Sequence, residues 1–379
     1  MKIIYLDYAA ATPMRDEVLE TMKPYFSEKF YNPSATYLAA RDVRQDLAGY
    51  RGKCAEVLGA KPAEIIFTSG ATEANNLAIR GIYQRFPEAK ILVGAIEHSS
   101  VIEPAVAAGA NTIPVLPNGQ LDLARLETML DDQTVLISVM LINNELGSIQ
   151  PVSEIAHLVA RVRADRLKSG NKLPLYLHTD AAQAGNYMDL HTSRLGVDMM
   201  SINGGKIYGP KGAGLLFVKA GTQLSPLFLG GGQEFGVRSG TENLASIAGL
   251  AKALELAQTD HSVQTKQVRQ LREKLEKGIS DIWPEAVING GKNRAAHLLS
   301  VTFPGQDNET LMMRLDELGV QCAVGSACSA SSDEPSHTLK ALGLSDDLAR
   351  ATLRFSLGKN TTQDEIETAL RSIKQVLAG

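Results

Sequence analysis

The sequence predicts an α/β protein with a mainly parallel central sheet flanked by helices, followed by a smaller α+β domain. Three observations carry that reading. First, short apolar, β-branched runs recur at 64–68, 91–95, 135–142, 174–179, 198–202 and 214–218, each the length of a buried strand. Second, stretches of helical length and pattern, 73–86 and 152–168, lie between several of them. Alternating strands and helices are what crossover connections between parallel strands require. Third, the texture changes after about residue 255. A long charged helix at 263–283 precedes separated strands at 298–303, 319–324 and 352–357, and an amphipathic helix closes the chain at 362–377. The expected large domain is 15–255; residues 1–14 and 256–379 form the small one.

Composition narrows the class. With 379 residues, 44% of them apolar and 21% charged, the chain has the makeup of an ordinary soluble protein of about two domains. A formal net charge of −4 supplies no attraction for nucleic acid or an anionic membrane, so neither is an expected partner. The first residues, MKIIYLDYAAATP, hold only a four-residue apolar run, too short for a signal peptide. Three cysteines without a C-x-x-C argue against a disulfide framework or a structural zinc, and no metal site is expected. The chain reads as cytoplasmic.

The pentapeptide INGGK occurs twice, at 202–206 and at 288–292. The second copy precedes polar Asn293 and Arg294, so it reads as a turn with a solvated lysine. The first follows the apolar run DMMSI and so stands at a strand's carboxyl end, where open α/β sheets bind ligands. It is not a P-loop, because Ile207 replaces the required Ser or Thr. Asp180 ends the preceding strand, and parallel pairing would bring it to the same rim as Lys206. Taken alone, Asp180 reads equally as a helix N-cap. Together, an amine and a carboxylate at one rim match what pyridoxal phosphate needs, an imine-forming lysine and an acid for the pyridine nitrogen.

Other strand ends deliver further polar groups. A helix beginning near Ala71 and Thr72 offers backbone N–H groups to a phosphate. His98 follows the strand at 91–95, and Asn143 and Asn144 follow the one at 135–142.

On these residues the chain resembles the cysteine desulfurases of the NifS/IscS type, in the class V aminotransferase family. The resemblance runs nearly end to end through YLDYAAATP, FTSGATEANNLAI, EHSSV, NNELG, DAAQ, KIYGPKGAG, GGGQEFGVRSGTEN, GSACSASSDEPSHTLKALGL and RFSLGKNTTQDEI. It implies the pyridoxal-phosphate-dependent transferase fold type I and a set of roles. Lys206 matches the Schiff-base lysine, Asp180 the partner of the pyridine nitrogen, and His98 the stacking histidine. Gln183 matches the contact to the ring's phenolic oxygen, and Asn144 a residue touching cofactor and substrate. Thr72, with Ala71 beside it, matches a phosphate ligand, as does Thr241, which in the family reaches across from a second subunit of a homodimer. Arg354 matches the arginine for the substrate carboxylate, and Cys328 the nucleophile that takes sulfur. The implied reaction converts L-cysteine to L-alanine and leaves a persulfide on Cys328. That sulfur would pass to an iron–sulfur scaffold or another acceptor protein. The small and polar stretch about 325–333 is expected to stay mobile. Cys54 and Cys322 read as core residues.

Two departures matter. Gly205 and Asn203 stand where the family usually has histidine and serine, so the cofactor's grip would be rebuilt by Ser201, Asn203 or a backbone N–H. Phe235 replaces a common arginine. Alternatives from the same residues are a selenocysteine lyase or aminotransferase of this fold, and a degenerate, non-catalytic scaffold.

Overall fold

A computed structural model of the protein describes residues 3–325 and 334–378. The strands are β1 Ile4–Tyr5, β2 Ile65–Thr68, β3 Lys90–Gly94, β4 Asn111–Ile113, β5 Thr134–Ser138, β6 Tyr176–Asp180, β7 Met199–Asn203, β8 Gly214–Val218, β9 Val287–Asn289, β10 Leu298–Thr302, β11 Val320–Gln321 and β12 Thr352–Ser356. Seven of them form the central sheet, in the order β2-β8-β7-β6-β5-β3-β4. The pairs β4–β3, β3–β5, β5–β6 and β6–β7 are parallel, whereas β8 runs antiparallel to both β7 and β2. A single reversed strand leaves the carboxyl ends of β2, β3, β5, β6 and β7 on one rim.

Two sequence expectations shift in the structure. The apolar run 135–142 is a paired strand only to Ser138. Beyond it, the N–H groups of Val139 and Leu141 still donate to β6 carbonyls of His178 and Asp180. On the other side the Met140 N–H donates to the Glu97 carboxylate, at 2.8 Å, instead of to a strand. The run stays buried because it floors the rim rather than because it is all sheet. The charged helix also begins earlier, as one element Leu244–Ile282. Asn243 caps it by accepting the Ser246 N–H. Its first half is buried from Leu244 to Leu254 almost without interruption, which hid the helical period; only the second half is amphipathic.

The core falls into clusters. One gathers under the central sheet and includes Leu92, Ile137, Leu177, Met200 and Leu215. Another joins Ile4 and Leu6 to Val268, Leu275, Leu299, Phe355 and the last helix. That helix, Gln363–Leu377, buries Ile366, Ala369, Ile373 and Val376, a 3-4-3 spacing that makes one apolar face. The helix Leu244–Ile282 feeds both clusters, with Leu250 and Leu254 in the first and Leu275 and Ile279 in the second. Among the described residues, no helix is long and apolar enough to cross a membrane.

The second INGGK copy makes a turn. Gly290 and Gly291 take φ of +91° and +63°, and Lys292 is exposed.

One buried ion pair anchors the segment after β8. Both guanidinium NH groups of Arg51 donate to Glu234 at 2.7 Å, and the Phe67 N–H donates to the same carboxylate at 2.8 Å. Removing one partner strands the other charge where water cannot reach it. Arg51→Met is therefore expected to lower the unfolding free energy by about 3–5 kcal/mol, read from denaturant midpoints.

His178 is a second internal tie, and burial pushes its imidazole down to about 3. In the unfolded chain it titrates near 6.5, so unfolding takes up a proton at any pH between these values. Its contribution is intact above about 6.5 and is lost as pH falls toward about 3. Below pH 6 the parent should lose stability faster than His178→Gln, by about 1.4 kcal/mol per pH unit; parallel stability curves would refute this.

Candidate active site

β6 and β7 pair in parallel with Asp180 opposite Ser201. Past Asn203 the chain turns through a single 3₁₀ turn, Gly204–Lys206, and this brings Lys206 to the rim where β6 ends. Gly204 is required there, because a Cβ would lie 2.8 Å from the Pro210 carbonyl oxygen and 3.0 Å from that of Ala213. The Asn203 side chain accepts the Gly205 N–H at 3.1 Å and so closes the turn. Lys206 Nζ donates to the carbonyl oxygens of Ala9 at 2.7 Å and Ala10 at 2.5 Å.

Asp180 is held at both oxygens. Asn75 Nδ2 donates to Oδ2 at 2.7 Å, and the Ala182 N–H donates to Oδ1 at 2.8 Å. Asn75 belongs to the helix Ala71–Arg85 and also donates to Ser100 Oγ at 2.9 Å. Ser100 in turn fixes His98, since its backbone N–H donates to Nδ1 at 3.1 Å. A ring nitrogen that accepts an N–H carries no proton, so neutral His98 keeps its proton on Nε2. Burial pushes the His98 imidazole below its ordinary range; Lys206 adds to this and Asp180 opposes it.

The neighbouring Glu97 is buried, and burial, reinforced by the charge of Asp180, raises it well above the carboxylate range. Arg354, in β12, is 3% exposed. Its NH1 donates to the Asn144 carbonyl at 3.0 Å and its NH2 to Asp7 Oδ1 at 2.7 Å, while Nε is buried without a partner among the described residues. Those two contacts set the plane of the guanidinium.

These groups surround a cavity of about 170 Å³. Of the residues singled out from sequence, Ala71, Thr72, His98, Asn144, Asp180, Gln183, Asn203, Lys206 and Arg354 line it. Ser201 does not, which corrects its expected placement at the cofactor. It is fully buried inside β7, with its hydroxyl 3.0 Å from His178 Nε2. Thr241 is exposed and lines a separate cleft with Ser69, Arg238 and Asn243. Cys328 lies outside the described residues. The residues on either side, Gly325 and Ser336, both abut Glu145. A Cβ on Gly325 would sit 3.4 Å from Glu145 Oε2, and Ser336 Oγ donates to that oxygen at 2.5 Å.

Sequence reasoning missed Asn75, Asp7 and the Ala9 and Ala10 carbonyls, all of which hold the groups it did find. A buried asparagine amid apolar residues of a helix was the one available signal, because an interior amide needs a partner. A backbone carbonyl leaves no such trace.

The residue set suits a flat phosphorylated aromatic. The helix Ala71–Arg85 starts after Gly70, which supplies no side-chain cap, so its first N–H groups remain for an anion beside Thr72. Asp180 faces the cavity from the end of β6, and Lys206 from the turn after β7.

Comparison with known proteins gives the chain's relatives. The family described as Aminotransferase class-V matches residues 4–369. A protein of Dictyoglomus turgidum named Cysteine desulfurase IscS is 39% identical over 99% of this chain and 94% of its own length. One of the same name from Methanosarcina thermophila is 36% identical over 99% of this chain and 92% of its own length. A solved NifS-like protein superposes with a TM-score of 0.90 at 32% identity, covering 99% of each chain. SspA in complex with cysteine superposes with a TM-score of 0.81 at 33% identity, over 94% of this chain and 99% of that one.

The two glycines before Lys206 differ in what they permit. A Cβ on Gly205 meets nothing nearer than the Lys211 side chain at 3.5 Å, an ordinary contact. Gly205→Ala should thus leave stability unchanged or raise it by up to about 1 kcal/mol. Gly204→Ala should cost on the order of 1–3 kcal/mol. Urea midpoints of the two variants decide it.

Proposed function

The chain belongs to the aminotransferase class-V family, among its pyridoxal-phosphate-dependent cysteine desulfurases, and we propose that this cavity converts L-cysteine to L-alanine and hands the sulfur to Cys328. The observation that carries the reading is one cavity lined by Lys206, Asp180, His98 and Arg354.

When bound, pyridoxal phosphate supplies the electron sink that lets a Cα proton leave. Lys206 is the residue that holds it and afterwards, as a free amine, takes that proton at Nζ. Asp180 holds a proton on the pyridine nitrogen, kept in place by Asn75 and the Ala182 N–H. His98 would lie against the cofactor's ring, its Nδ1 already accepting the Ser100 N–H. Ala71 and Thr72 bind the phosphate at the helix start, with Gln183, Asn144 and Asn203 around the ring. Arg354 receives the substrate carboxylate, for which a planar fork is suited, and Asp7 keeps that fork from turning.

The Cys328 thiolate attacks the substrate sulfur. An S–S bond forms, the carbon–sulfur bond breaks with its electron pair passing to carbon, and protonation there yields alanine. A free thiol titrates near 8.5, so the step needs a local proton acceptor. The chain's connectivity supports the assignment: Ala323, five residues before Cys328, exchanges backbone hydrogen bonds with Arg354. The structure solved with cysteine supports the substrate.

We extend the reading to a homodimer in which Thr241 of a second copy completes the phosphate site. Its exposure outside its own chain's cavity supports this, as do the exposed Phe228 and Leu229 nearby in sequence. An iron–sulfur scaffold or other acceptor protein in the cytoplasm would receive the sulfur; the unpaired thiols of Cys54 and Cys322 are in keeping with a reducing compartment.

Incubation with L-cysteine, followed by peptide mass spectrometry, tests the core of it. Extra sulfur is expected on Cys328, and borohydride should fix the cofactor to Lys206. Cys328→Ala should keep the visible absorbance and lose sulfur transfer by 10²-fold or more, a magnitude typical of removing a reacting group. Sulfur on Cys54 or Cys322, or full turnover by the Cys328→Ala variant, would overturn the assignment.

A further inference from the structure

We propose that His297, which does not line the cavity, is a positioning residue that determines which end of the Gln183 amide faces the cofactor. The inference rests on the reading that Gln183 contacts the cofactor's phenolic oxygen.

A glutamine amide has a donor end and an acceptor end of nearly equal shape, so only its partners decide its orientation. On one side Gln183 Nε2 donates to the Ala9 carbonyl oxygen at 3.0 Å, the same oxygen that accepts Lys206 Nζ at 2.7 Å. On the other, Gln183 Oε1 lies 3.3 Å from His297 Nε2. His297 is 2% exposed, and burial, helped by the cations of Arg354 and Arg272, pushes its imidazole down to about 3. It is therefore neutral and has one N–H to give. Among the described residues its buried Nδ1 has no partner, which a bare lone pair tolerates better than a buried N–H would. The proton thus sits on Nε2 and points at Gln183 Oε1.

The ring is not free to swing away from this duty. It stacks on Tyr187 with centroids 3.9 Å apart and planes 8° from parallel. The Tyr187 hydroxyl donates to the Leu357 carbonyl at 3.2 Å, and the Leu357 N–H donates back to the His297 carbonyl at 2.9 Å. A flipped Gln183 would set its NH₂ against the His297 N–H and its oxygen against the Ala9 oxygen, two repulsive contacts in a partly buried site. One orientation survives. It leaves the second N–H of Gln183 Nε2 for an acceptor in the cavity, which a phenolic oxygen provides. His297, Gln183, Ala9 and Lys206 then form one chain of contacts from the second core to the imine-forming amine.

The test compares His297→Phe, which keeps the stack but lacks the donor, with His297→Gln, which can donate but cannot stack. Gln183→Leu and the Gln183→Leu/His297→Phe pair complete the set. Readouts are the dissociation constant for pyridoxal phosphate, the visible absorption maximum of the loaded protein, and the melting temperature of the cofactor-free protein. Gln183→Leu should weaken cofactor binding about tenfold and move the absorption maximum, the scale of one lost hydrogen bond to a charged group. His297→Phe should weaken binding about three- to tenfold and move the maximum in the same direction. The pair should match Gln183→Leu alone, and His297→Gln should recover most of the parent's affinity whatever it does to melting. Parent-like binding and absorption in His297→Phe, or additive effects in the pair, would overturn the role of His297 and leave that of Gln183 standing. A silent Gln183→Leu would overturn both.

Discussion

The register between β6 and β7 is the constraint on which the site depends. Asp180 stands opposite Ser201 in that pairing, and a slip of one residue would turn every side chain of one strand to the other face. The slip would take Asp180 from the cavity and move the turn that carries Lys206. His178 opposes it directly. Its Nδ1 lies 2.8 Å from Ser138 Oγ on β5 and its Nε2 3.0 Å from Ser201 Oγ on β7. Three adjacent strands are thereby pinned at one level, just before their carboxyl ends. A fully apolar interior would pack as well but would specify the level less strictly. Ser201 thus serves the site from within the sheet rather than from the rim.

The segment before the first helix supplies the second constraint. Residues 4–12 run from one core to the other: Ile4 and Leu6 pack in the cluster with β10 and β12, and Ala9 in the cluster under the central sheet. Along the way Asp7 holds Arg354, and the carbonyls of Ala9 and Ala10 hold Lys206. Thr12 then ties the segment down, accepting the Tyr208 N–H at 2.8 Å and donating to the Gly205 carbonyl at 3.0 Å. One short extended stretch therefore spaces the amine from the guanidinium. Those two cations belong to different parts of the fold, and nothing in β7 or β12 alone would set their separation.

How far the sequence revealed this follows from the kind of signal each residue leaves. Strands such as 214–218 and the last helix announced themselves through apolar periodicity, and polar residues following those strands pointed to a shared rim. Strand direction left no such mark. GLLFV reads the same whether it runs with its neighbours or, as it does, against them. Strand β4 was invisible because only Ile113 of its three residues is buried. Ser201 misled because proximity in sequence to Lys206 is not proximity to the cavity: it shares a strand face with Asn203 but lies two residues further back along β7, where its hydroxyl meets His178. His297 carried no sequence signal at all: its partner Gln183 is more than a hundred residues away, and the contact exists only because β10 and the turn after β6 meet.

Burial acts on every ionisable group around the cavity, and the partners each is given differ. Burial raises Glu97 well above the carboxylate range and holds the imidazoles of His98 and His297 below theirs. Lys206 and Arg354 are different, because each is met by oxygen acceptors placed by the 4–12 segment: two carbonyls for the amine, and a carboxylate for the guanidinium. Asp180 is likewise met by two N–H donors. Desolvation penalises every buried charge, and hydrogen bonds to the charged form offset that penalty. The pattern that results, cations at two ends of the cavity and an anion beside the helix start, is that of a receptor for a zwitterionic substrate bound to an anionic cofactor. It arises from where the backbone places its N–H and C=O groups as much as from which side chains the sequence supplies.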